Sequence, residues 1–501
     1  MGEAMQRKIE KVLLFVPPAF TFKDRIDINP LPPLGLGYLG AVLENNGIEV
    51  KVVDCIVEGW HRRIEVEKNI LRIGLPFEKI EEIIRSYSPD IVGVNSLFTV
   101  QRKNAGEIYK IAKKVDKNII SIAGGGHPTV MPELVLSDEN VDYVVIGEGE
   151  DTIIDLIGVI EGEKNISDLD GVGYKENDKI KIILKTKFIR DLDEIPFPAR
   201  HLLNMEKYIG LKDSHGTRRK ERFSPIVTSR GCPARCSFCS AYRVWGRKYR
   251  TRSPENVISE MKQIKEKYGI EELMFEDDNL TMNPIRAERI FDLMIQEKLN
   301  FVWDTPNGVA VFALNERLID KMKESGCYTL NLALESGSQY VLDNIIKKPV
   351  RLDKAKTLAK YAKSIGLNVG LYLIMGLPGE TELQIAESFK LAKELEIYSP
   401  FISIATPYPG TELYEICKKN NYLKSDFSLD DLFIKSYSIS TPAWDGEKLK
   451  RIVEKNCKVL TRDDYKKHPH KLFLNALRVL FRNPLKFPQK VLNFLGFNLK
   501  R

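Results

Sequence analysis

The 501-residue chain lacks several features that would assign it to a broad class of proteins. No run of apolar residues is long enough to span a bilayer, and the N-terminal segment lacks the apolar core of a secretory signal peptide. Its seven cysteines do not form the dense array of a disulfide-stabilised secreted protein. These absences predict a protein of the reducing cytoplasm.

Acidic residues are missing from the C-terminal tail. The net charge is +7, and the stretch from Lys466 to Arg501, which carries cations and no acid, accounts for the whole excess. The rest of the chain is close to neutral, which argues against a nucleic-acid partner. Apolar and aromatic residues recur among these cations, a pattern typical of segments that lie on anionic membranes. A helix packed on the protein's own body is the alternative. The first interpretation predicts peripheral contact with the inner membrane face and a lipid or other small-molecule substrate.

The N-terminal region has neither dinucleotide-loop nor P-loop spacing, but short apolar runs alternate in it with helical stretches. Five runs predict parallel strands: Lys11–Pro18, Val50–Asp54, Asp90–Ser96, Asn118–Gly125 and Tyr143–Gly147. Such a doubly wound sheet binds ligands beyond the carboxyl ends of its strands. The candidate binding residues there are Pro17, Asn95, Ser96, Gly124, Gly125, Gly126, His127, Gly147 and Glu148. Asp54 is predicted to be a turn or cap residue, and His127 a loop histidine that bonds locally.

Three cysteines lie close together in the middle of the chain. Cys232, Cys236 and Cys239 form a C-x₃-C-x₂-C pattern just after a short apolar run. Clustered thiolates are the usual ligands of iron–sulfur centres. A structural Cys₃His zinc site with His201 or His215 is the alternative that the spacing allows.

Six β/α units follow from residue 226 to residue 405, two fewer than a closed eight-fold barrel needs. Polar and glycine residues come after successive predicted strands, where the reactive residues of such barrels lie. The candidates are Asp277, Asp278, Glu335, Ser336 and Gly376.

C-x₃-C-x-Φ-C after a first barrel strand, with Phe238 as the aromatic residue, resembles the radical S-adenosylmethionine (SAM) superfamily. The resemblance implies a [4Fe-4S] cluster whose open iron chelates SAM and, with an electron from an external reductant, yields a 5′-deoxyadenosyl radical. It implies that Phe238 lies along the adenine and that Gly376 contacts it through the backbone. Asp277 and Asp278 then lie near the SAM amino group, and Glu335 or Ser336 near the ribose hydroxyls or that amino group.

Gly-Gly-Gly-His-Pro-Thr at residues 124–129 and Gly-Glu-Gly-Glu at residues 147–150 precede this motif. The combination resembles the cobalamin-binding domain of cobalamin-dependent radical SAM enzymes. No histidine occurs between Pro17 and Trp60, where many cobalamin domains carry their cobalt ligand, so we expect cobalt without a histidine ligand. The resemblance implies methyl transfer to an unactivated carbon by way of the adenosyl radical and methylcobalamin. The alternatives are a redox or ring-forming radical reaction and a non-catalytic cobalamin or cluster sensor.

The predicted fold is α/β throughout its two main domains. A Rossmann-like cobalamin-binding domain spans residues 1–163, a hairpin and linker residues 164–220, and a partial (β/α)₆ radical SAM barrel residues 221–425. A helical C-terminal region with the basic tail completes the chain at residues 426–501. The predicted cofactors are the [4Fe-4S] cluster, SAM and cobalamin.

Overall fold

A computed structural model describes residues 7–23, 28–211, 218–433 and 437–471. The predicted membrane-binding stretch from Leu472 to Arg501 lies outside the described residues. Within the described ranges, no helix is both long and apolar enough to cross a membrane.

The N-terminal half is built on a seven-stranded sheet. Its elements, with those of a smaller sheet, are β1 (Lys11–Val16), β2 (Ala19–Phe22), α1 (Leu34–Asn45), β3 (Glu49–Asp54), α2 (Cys55–Glu58), β4 (Arg63–Glu67), β5 (Ile70–Ile73), α3 (Phe77–Tyr87), β6 (Ile91–Asn95), α4 (Arg102–Val115), β7 (Ile120–Gly124), α5 (Gly126–Val130), α6 (Pro132–Leu136), β8 (Tyr143–Val145), α7 (Glu150–Ile160), β9 (Val172–Glu176) and β10 (Lys179–Ile183). The strand order is β10-β9-β8-β7-β6-β1-β3. The five predicted strands are present and parallel.

Side chains of β1, an interior strand of the sheet, alternate between two hydrophobic cores. Val12 and Leu14 point into the core shared with α1 and α7, whereas Leu13 and Phe15 point into the core shared with α3 and α4. Successive strand residues face opposite sides of a sheet, so a strand covered by helices on both faces is apolar throughout. This explains why the sequence of β1 is a continuous apolar run.

Two features of this half differ from the expectation. The hairpin β9–β10 has its turn where predicted, but it adds two antiparallel strands to the sheet, which therefore continues past residue 163 to Ile183. Strands β2, β4 and β5 form a separate antiparallel sheet that the sequence analysis did not predict.

The second half contains the six predicted parallel strands. Its elements are α8 (Met205–Gly210), β11 (Phe223–Ile226), β12 (Ser229–Arg230), α9 (Ala241–Trp245), β13 (Arg250–Thr251), α10 (Pro254–Tyr268), β14 (Glu272–Phe275), α11 (Pro284–Gln296), β15 (Val302–Asp304), α12 (Glu316–Glu324), β16 (Thr329–Glu335), a π-helix (Val341–Ile346), α13 (Leu352–Ser364), β17 (Asn368–Met375), α14 (Glu382–Glu394), β18 (Phe401–Ile404), α15 (Glu412–Lys419) and α16 (Gly446–Lys467). Strands β11-β14-β15 and β16-β17-β18 pair in parallel, and parallel bridges Trp303–Cys327 and Val309–Leu332 join the two groups. The partial barrel is thus confirmed.

Helix α16 lies in the predicted helical C-terminal region and packs on the barrel. Leu449, Ile452, Val453 and Leu460 belong to the same hydrophobic core as the barrel strands. Near its end Lys467 pairs with Glu396, and Lys471 lies 2.9 Å from Asp464. The apolar residues of the tail, from Leu472 on, lie outside the described residues, so both interpretations of the tail stay predictions.

Candidate functional site

The cysteine loop, residues 231–240, lies at the carboxyl end of the barrel and is held from two sides. The backbone N–H of Ser237 donates to the carbonyl of Ile346 (2.9 Å) at the end of the π-helix. The carbonyl of Ser237 accepts from the N–H of Leu413 (2.8 Å) in α15. Within the loop, the N–H of Ala241 donates to Sγ of Cys239 (3.4 Å). These bonds fix the backbone that carries the three cysteines.

Asp277 holds the two residues that lead into this loop, Thr228 and Ser229, by hydrogen bonds. Its buried carboxylate accepts from the Thr228 hydroxyl (2.8 Å), the Thr228 N–H (3.1 Å) and the Ser229 hydroxyl. Burial raises the pKa of Asp277. Because these donors occupy both of its oxygens, the geometry does not present Asp277 to SAM. Its neighbour Asp278 has an exposed side chain and lies nearer the cysteines.

A partly buried lysine that was not among the predicted site residues lies beside the cysteines. Nζ of Lys348 is 2.6 Å from Oε1 of Glu335. Burial alone would lower the pKa of Lys348, but Glu335 and the nearby Cys236 raise it above its ordinary value. Burial also raises the pKa of all three thiols, that of Cys236 to about 12. Buried thiolates require positive charge nearby, which the irons of a cluster and the Lys348 ammonium would supply.

Of the other predicted barrel residues, some lie beside the cysteine loop and others lie inside the protein. Phe238 packs partly buried against the barrel core. Glu335 has a left-handed backbone conformation (φ 69°) at the end of β16. Its carboxylate accepts a hydrogen bond from Lys348, which lies beside the cysteine loop. The hydroxyl of Ser336 instead accepts from the N–H of Ser338 and lies 3.4 Å from that of Ser388, inside the protein. A Cβ at Gly376 would lie 2.3 Å from Cδ2 of Leu449, so helix α16 is what requires glycine there.

The carboxyl edge of the N-terminal sheet is open and lined by backbone. A Cβ built on Gly124 meets nothing within 4 Å, whereas one on Gly125 (φ 101°) would clash with Oδ1 of Asn95 and the carbonyl of Ser96. Next to this edge Leu97 and Phe98 are 57% and 60% exposed. Exposed apolar side chains beside bare backbone suit a large ligand with apolar faces.

His127 is not the loop histidine that we predicted. It lies in the short helix α5, 3% exposed, and its Nδ1 has no hydrogen-bond partner. Burial and the nearby Arg102 lower the pKa of His127 to about 4, so its imidazole is neutral. Asp54 is the predicted cap: it accepts from the N–H groups of Ile56 and Val57 at the start of α2.

The remaining candidates of this edge face elsewhere. Pro17 is buried. A Cβ at Gly147 would lie 3.2 Å from the carbonyl of Val244 in α9. The carboxylate of Glu148 accepts from Arg230, Arg250 and the N–H of Ile189, so it is directed to the barrel and not to the open edge.

The open edge and the cysteine loop face each other. Helix α5, which follows Gly125, lies against α9, which follows Cys239. A Cβ at Gly410 would lie 2.6 Å from Cγ1 of Val130, so the barrel rim approaches the end of α5 closely. The sheet edge and the cysteine loop are therefore close to each other in the fold.

The zinc alternative has little support in the described geometry. His201 lies on the surface with Nε2 3.0 Å from Glu44, and His215 lies outside the described residues. In the ranges given above, no three His, Cys, Asp or Glu side chains converge as a site for one metal ion.

Comparison with known proteins matches each half of the chain to a family model. Residues 226–392 match the family model described as the radical SAM superfamily, and residues 29–157 match the B12 binding domain. The chain is 33% identical over 490 residues to cytidylyl-2-hydroxyethylphosphonate methyltransferase of Streptomyces wedmorensis, covering 91% of this chain and 90% of that protein. It is 35% identical to an uncharacterized methyltransferase of Pyrococcus horikoshii, covering 83% and 85%.

Solved structures share the fold at low sequence identity. The radical SAM methyltransferase TsrM from Kitasatospora setae, with cobalamin and a [4Fe-4S] cluster bound, superposes with a TM-score of 0.66 at 17% identity, covering 84% of this chain and 81% of that chain. The cobalamin-dependent radical enzyme OxsB gives a TM-score of 0.69 at 15% identity, covering 98% and 71%. The order of the two domains along the chain is thus a known architecture.

Proposed function

The chain belongs to the radical SAM enzymes with a B12-binding domain, and from that premise we propose that it methylates an unactivated carbon of a small organic substrate. As a member of this family it is an enzyme whose cofactors are a [4Fe-4S] cluster, SAM and cobalamin. The observation that carries the proposal is the open, glycine-lined sheet edge facing the cysteine loop. Two cofactors there would act on one substrate held between them.

The chain's own residues supply ligation, charge and orientation. Cys232, Cys236 and Cys239 would hold three irons of the cluster and leave the fourth for SAM. Lys348 would add a partly buried positive charge beside them, and Asp278 and Glu335 would offer acceptors to the amino group and ribose of SAM. The open edge at Gly124 would hold cobalamin. When bound, cluster and SAM supply the hydrogen-abstracting radical and cobalamin supplies the methyl group, while the enclosing protein limits access of water.

The test follows the methyl group. Anaerobic protein is incubated with a one-electron reductant, SAM labelled in its methyl group, and either a cell extract or cytidylyl-2-hydroxyethylphosphonate, the compound named in the first relative above. We expect labelled methyl in a product together with 5′-deoxyadenosine, and neither with Cys239→Ala protein. Loss of label from SAM without a methylated product in either arm would contradict methyl transfer.

A second radical outcome has one specific observation in its favour. Relatives named anaerobic magnesium-protoporphyrin IX monomethyl ester cyclase match at 25–27% identity. The chain covers 69% and 55% of those proteins, against 85–90% of the two methyltransferases above, so we rank ring formation second. Formation of 5′-deoxyadenosine with an oxidised or cyclised product that carries no label would reverse that order.

A lipid or lipid-linked substrate is a finer proposal, based on the charge of the tail. Each cation near an anionic surface contributes on the order of 1 kcal/mol, so the basic residues after Lys471 could hold the enzyme at a membrane reversibly. Flotation with phosphatidylserine vesicles at low salt should bring up the full chain but not a chain ending at Lys471, which keeps all of α16. If both chains stay in the soluble fraction, membrane contact and the lipid substrate are excluded together.

A further inference from the structure

Four buried charged side chains join the N-terminal sheet to the cysteine loop. Glu148 and Glu150 lie in the Gly-Glu-Gly-Glu turn after β8, and Arg230 and Arg250 lie in the barrel half. Nη2 of Arg230 is 2.5 Å from Glu150, and its Nη1 is 3.3 Å from Glu148. Nη1 of Arg250 is 2.8 Å from Oε1 and 2.9 Å from Oε2 of Glu148. All four side chains are at most 8% exposed.

The two arginines are brought together by backbone pairing. Strands β12 and β13 form a two-stranded antiparallel ribbon in which Arg230 is directly opposite Arg250. Like charges opposite each other repel, and burial strengthens the repulsion. Glu148 contacts both guanidinium groups, so a carboxylate from the other domain is what stabilises the ribbon.

Aromatic rings enclose Arg230 as well. Its guanidinium lies 5.2 Å from the ring of Tyr38 in α1 and 4.9 Å from the ring of Trp245 in α9. Arg230 is the second residue before Cys232, and the turn that binds it starts at Gly147, at the carboxyl edge of the sheet. One buried side chain thus ties the edge that would carry cobalamin to the loop that would carry the cluster.

We propose that these four residues, here named the carboxylate latch, set the distance and orientation between the cobalamin edge and the cysteine loop. The inference rests on the proposed function, because it concerns the separation of the two cofactors. Glu148 and Glu150 are on this view positioning residues that act through Arg230 and Arg250, and neither contacts cobalamin. Breaking the latch should leave each cofactor bound and loosen their relative placement.

The experiment measures that placement directly. Protein is loaded with the Co(II) form of cobalamin and with the cluster, the cluster is reduced, and the spin–spin interaction between the two paramagnets is recorded by pulsed electron paramagnetic resonance. The wild-type protein should give one narrow distribution of cobalt–cluster distances. Glu150→Gln, which keeps the side chain's shape but removes its charge, should give a broadened distribution with unchanged cobalt and iron content. Turnover should fall about 10- to 100-fold with little change in KM, since small misplacements have effects of that size.

Two further variants make the result interpretable. Arg230→Lys keeps the positive charge but loses the planar guanidinium that contacts two carboxylates, so it should also broaden the distance distribution. It keeps the test decisive if Glu150→Gln folds poorly. Glu206→Gln breaks the exposed pair with Arg222 (2.6 Å) at another contact near the barrel and should change nothing. A narrow, wild-type distance in both latch variants would overturn the inference. Failure of wild-type protein to bind cobalamin or the cluster would instead contradict the proposed function.

Discussion

The two carboxyl edges that face each other in this protein are built in opposite ways. The edge of the N-terminal sheet offers backbone, glycine and the exposed side chains of Leu97 and Phe98. The barrel edge is crowded with charged side chains, among them Asp277, Glu335 and Lys348, each with a partner. The first suits a large cofactor that brings its own chemistry, and the second suits a site that must hold a few atoms in fixed geometry. Substitutions should therefore act differently on the two edges.

Loss of a cluster cysteine should have the largest effect. Cys232→Ala, Cys236→Ala or Cys239→Ala removes one of three protein ligands, so anaerobically reconstituted protein should lose its four-iron cluster and all reductive cleavage of SAM. Iron and sulfide analysis with electron paramagnetic resonance measures this. Cys457→Ala, in α16, is the matched control and should keep the cluster. Stoichiometric zinc without iron in wild-type protein would refute the assignment.

Glu380, next to the barrel edge, should make stability fall as pH rises. Its carboxylate accepts from the N–H groups of Gly376 and Leu377, but burial raises its pKa from 4.5 to about 7. The folded state therefore binds a proton that the unfolded state releases, and stability present below pH 4.5 is lost as pH rises through 7. The loss should approach roughly 3 kcal/mol.

Denaturant titrations between pH 4.5 and pH 8 test this dependence. Glu380→Gln cannot ionise and should remove this contribution to the slope, whatever its absolute stability. Glu255→Gln, at the exposed pair with Arg289, is the control and should keep the wild-type slope. An unchanged slope in Glu380→Gln would show that the buried carboxyl is not the titrating group.

A pair of glycine substitutions should separate the two edges. Gly376→Ala places a Cβ 2.3 Å from Leu449 at a φ of 87°, so it should lower the free energy of unfolding by about 1–3 kcal/mol. Gly124→Ala meets no atom within 4 Å, so stability should stay within about 0.5 kcal/mol while cobalamin affinity falls. Thermal unfolding of apoprotein and cobalamin titration measure the two effects. Equal cobalamin affinity in Gly124→Ala and wild type would remove that edge from the binding site.

His127 should have the smallest spectroscopic effect. Its side chain is buried within the N-terminal half, so we expect no histidine on cobalt. His127→Ala protein loaded with cobalamin should keep the wild-type visible and paramagnetic spectra, although burial of the ring implies some loss of stability. A change from nitrogen to oxygen coordination in this variant would identify His127 as the axial ligand.

Strands such as β1 could be predicted because they are continuous apolar runs bounded by turn residues. Helix ends followed local signals too: Ser253 caps α10 through the N–H of Asn256, with Pro254 at its first position. Strand β4 escaped prediction because all of its residues are exposed and its sequence, Arg-Ile-Glu-Val-Glu, carries no buried face.

Much of the site depends on contacts between distant residues. Lys348 follows Lys347, which is exposed on the surface. Nothing in the sequence around the two residues shows that only Lys348 lies at the site. Glu148 was assigned to a ligand edge because of its turn, yet its partners come from the other half of the molecule. Side-chain hydrogen bonds of Asp277 likewise reach back to Thr228, which periodicity in the sequence does not reveal.

The two backbone bonds of Ser237 have a consequence for how the enzyme is made. Both partners, Ile346 and Leu413, are synthesised long after the three cysteines have left the ribosome. Chains fold as they are synthesised, the N-terminal part first. The cysteine loop therefore lacks these two hydrogen bonds, and its thiols stay reduced, until nearly the whole barrel has been made. Iron delivered before Leu413 has emerged would meet a cysteine loop without these two supports, so the cluster belongs to a stage after the barrel has formed.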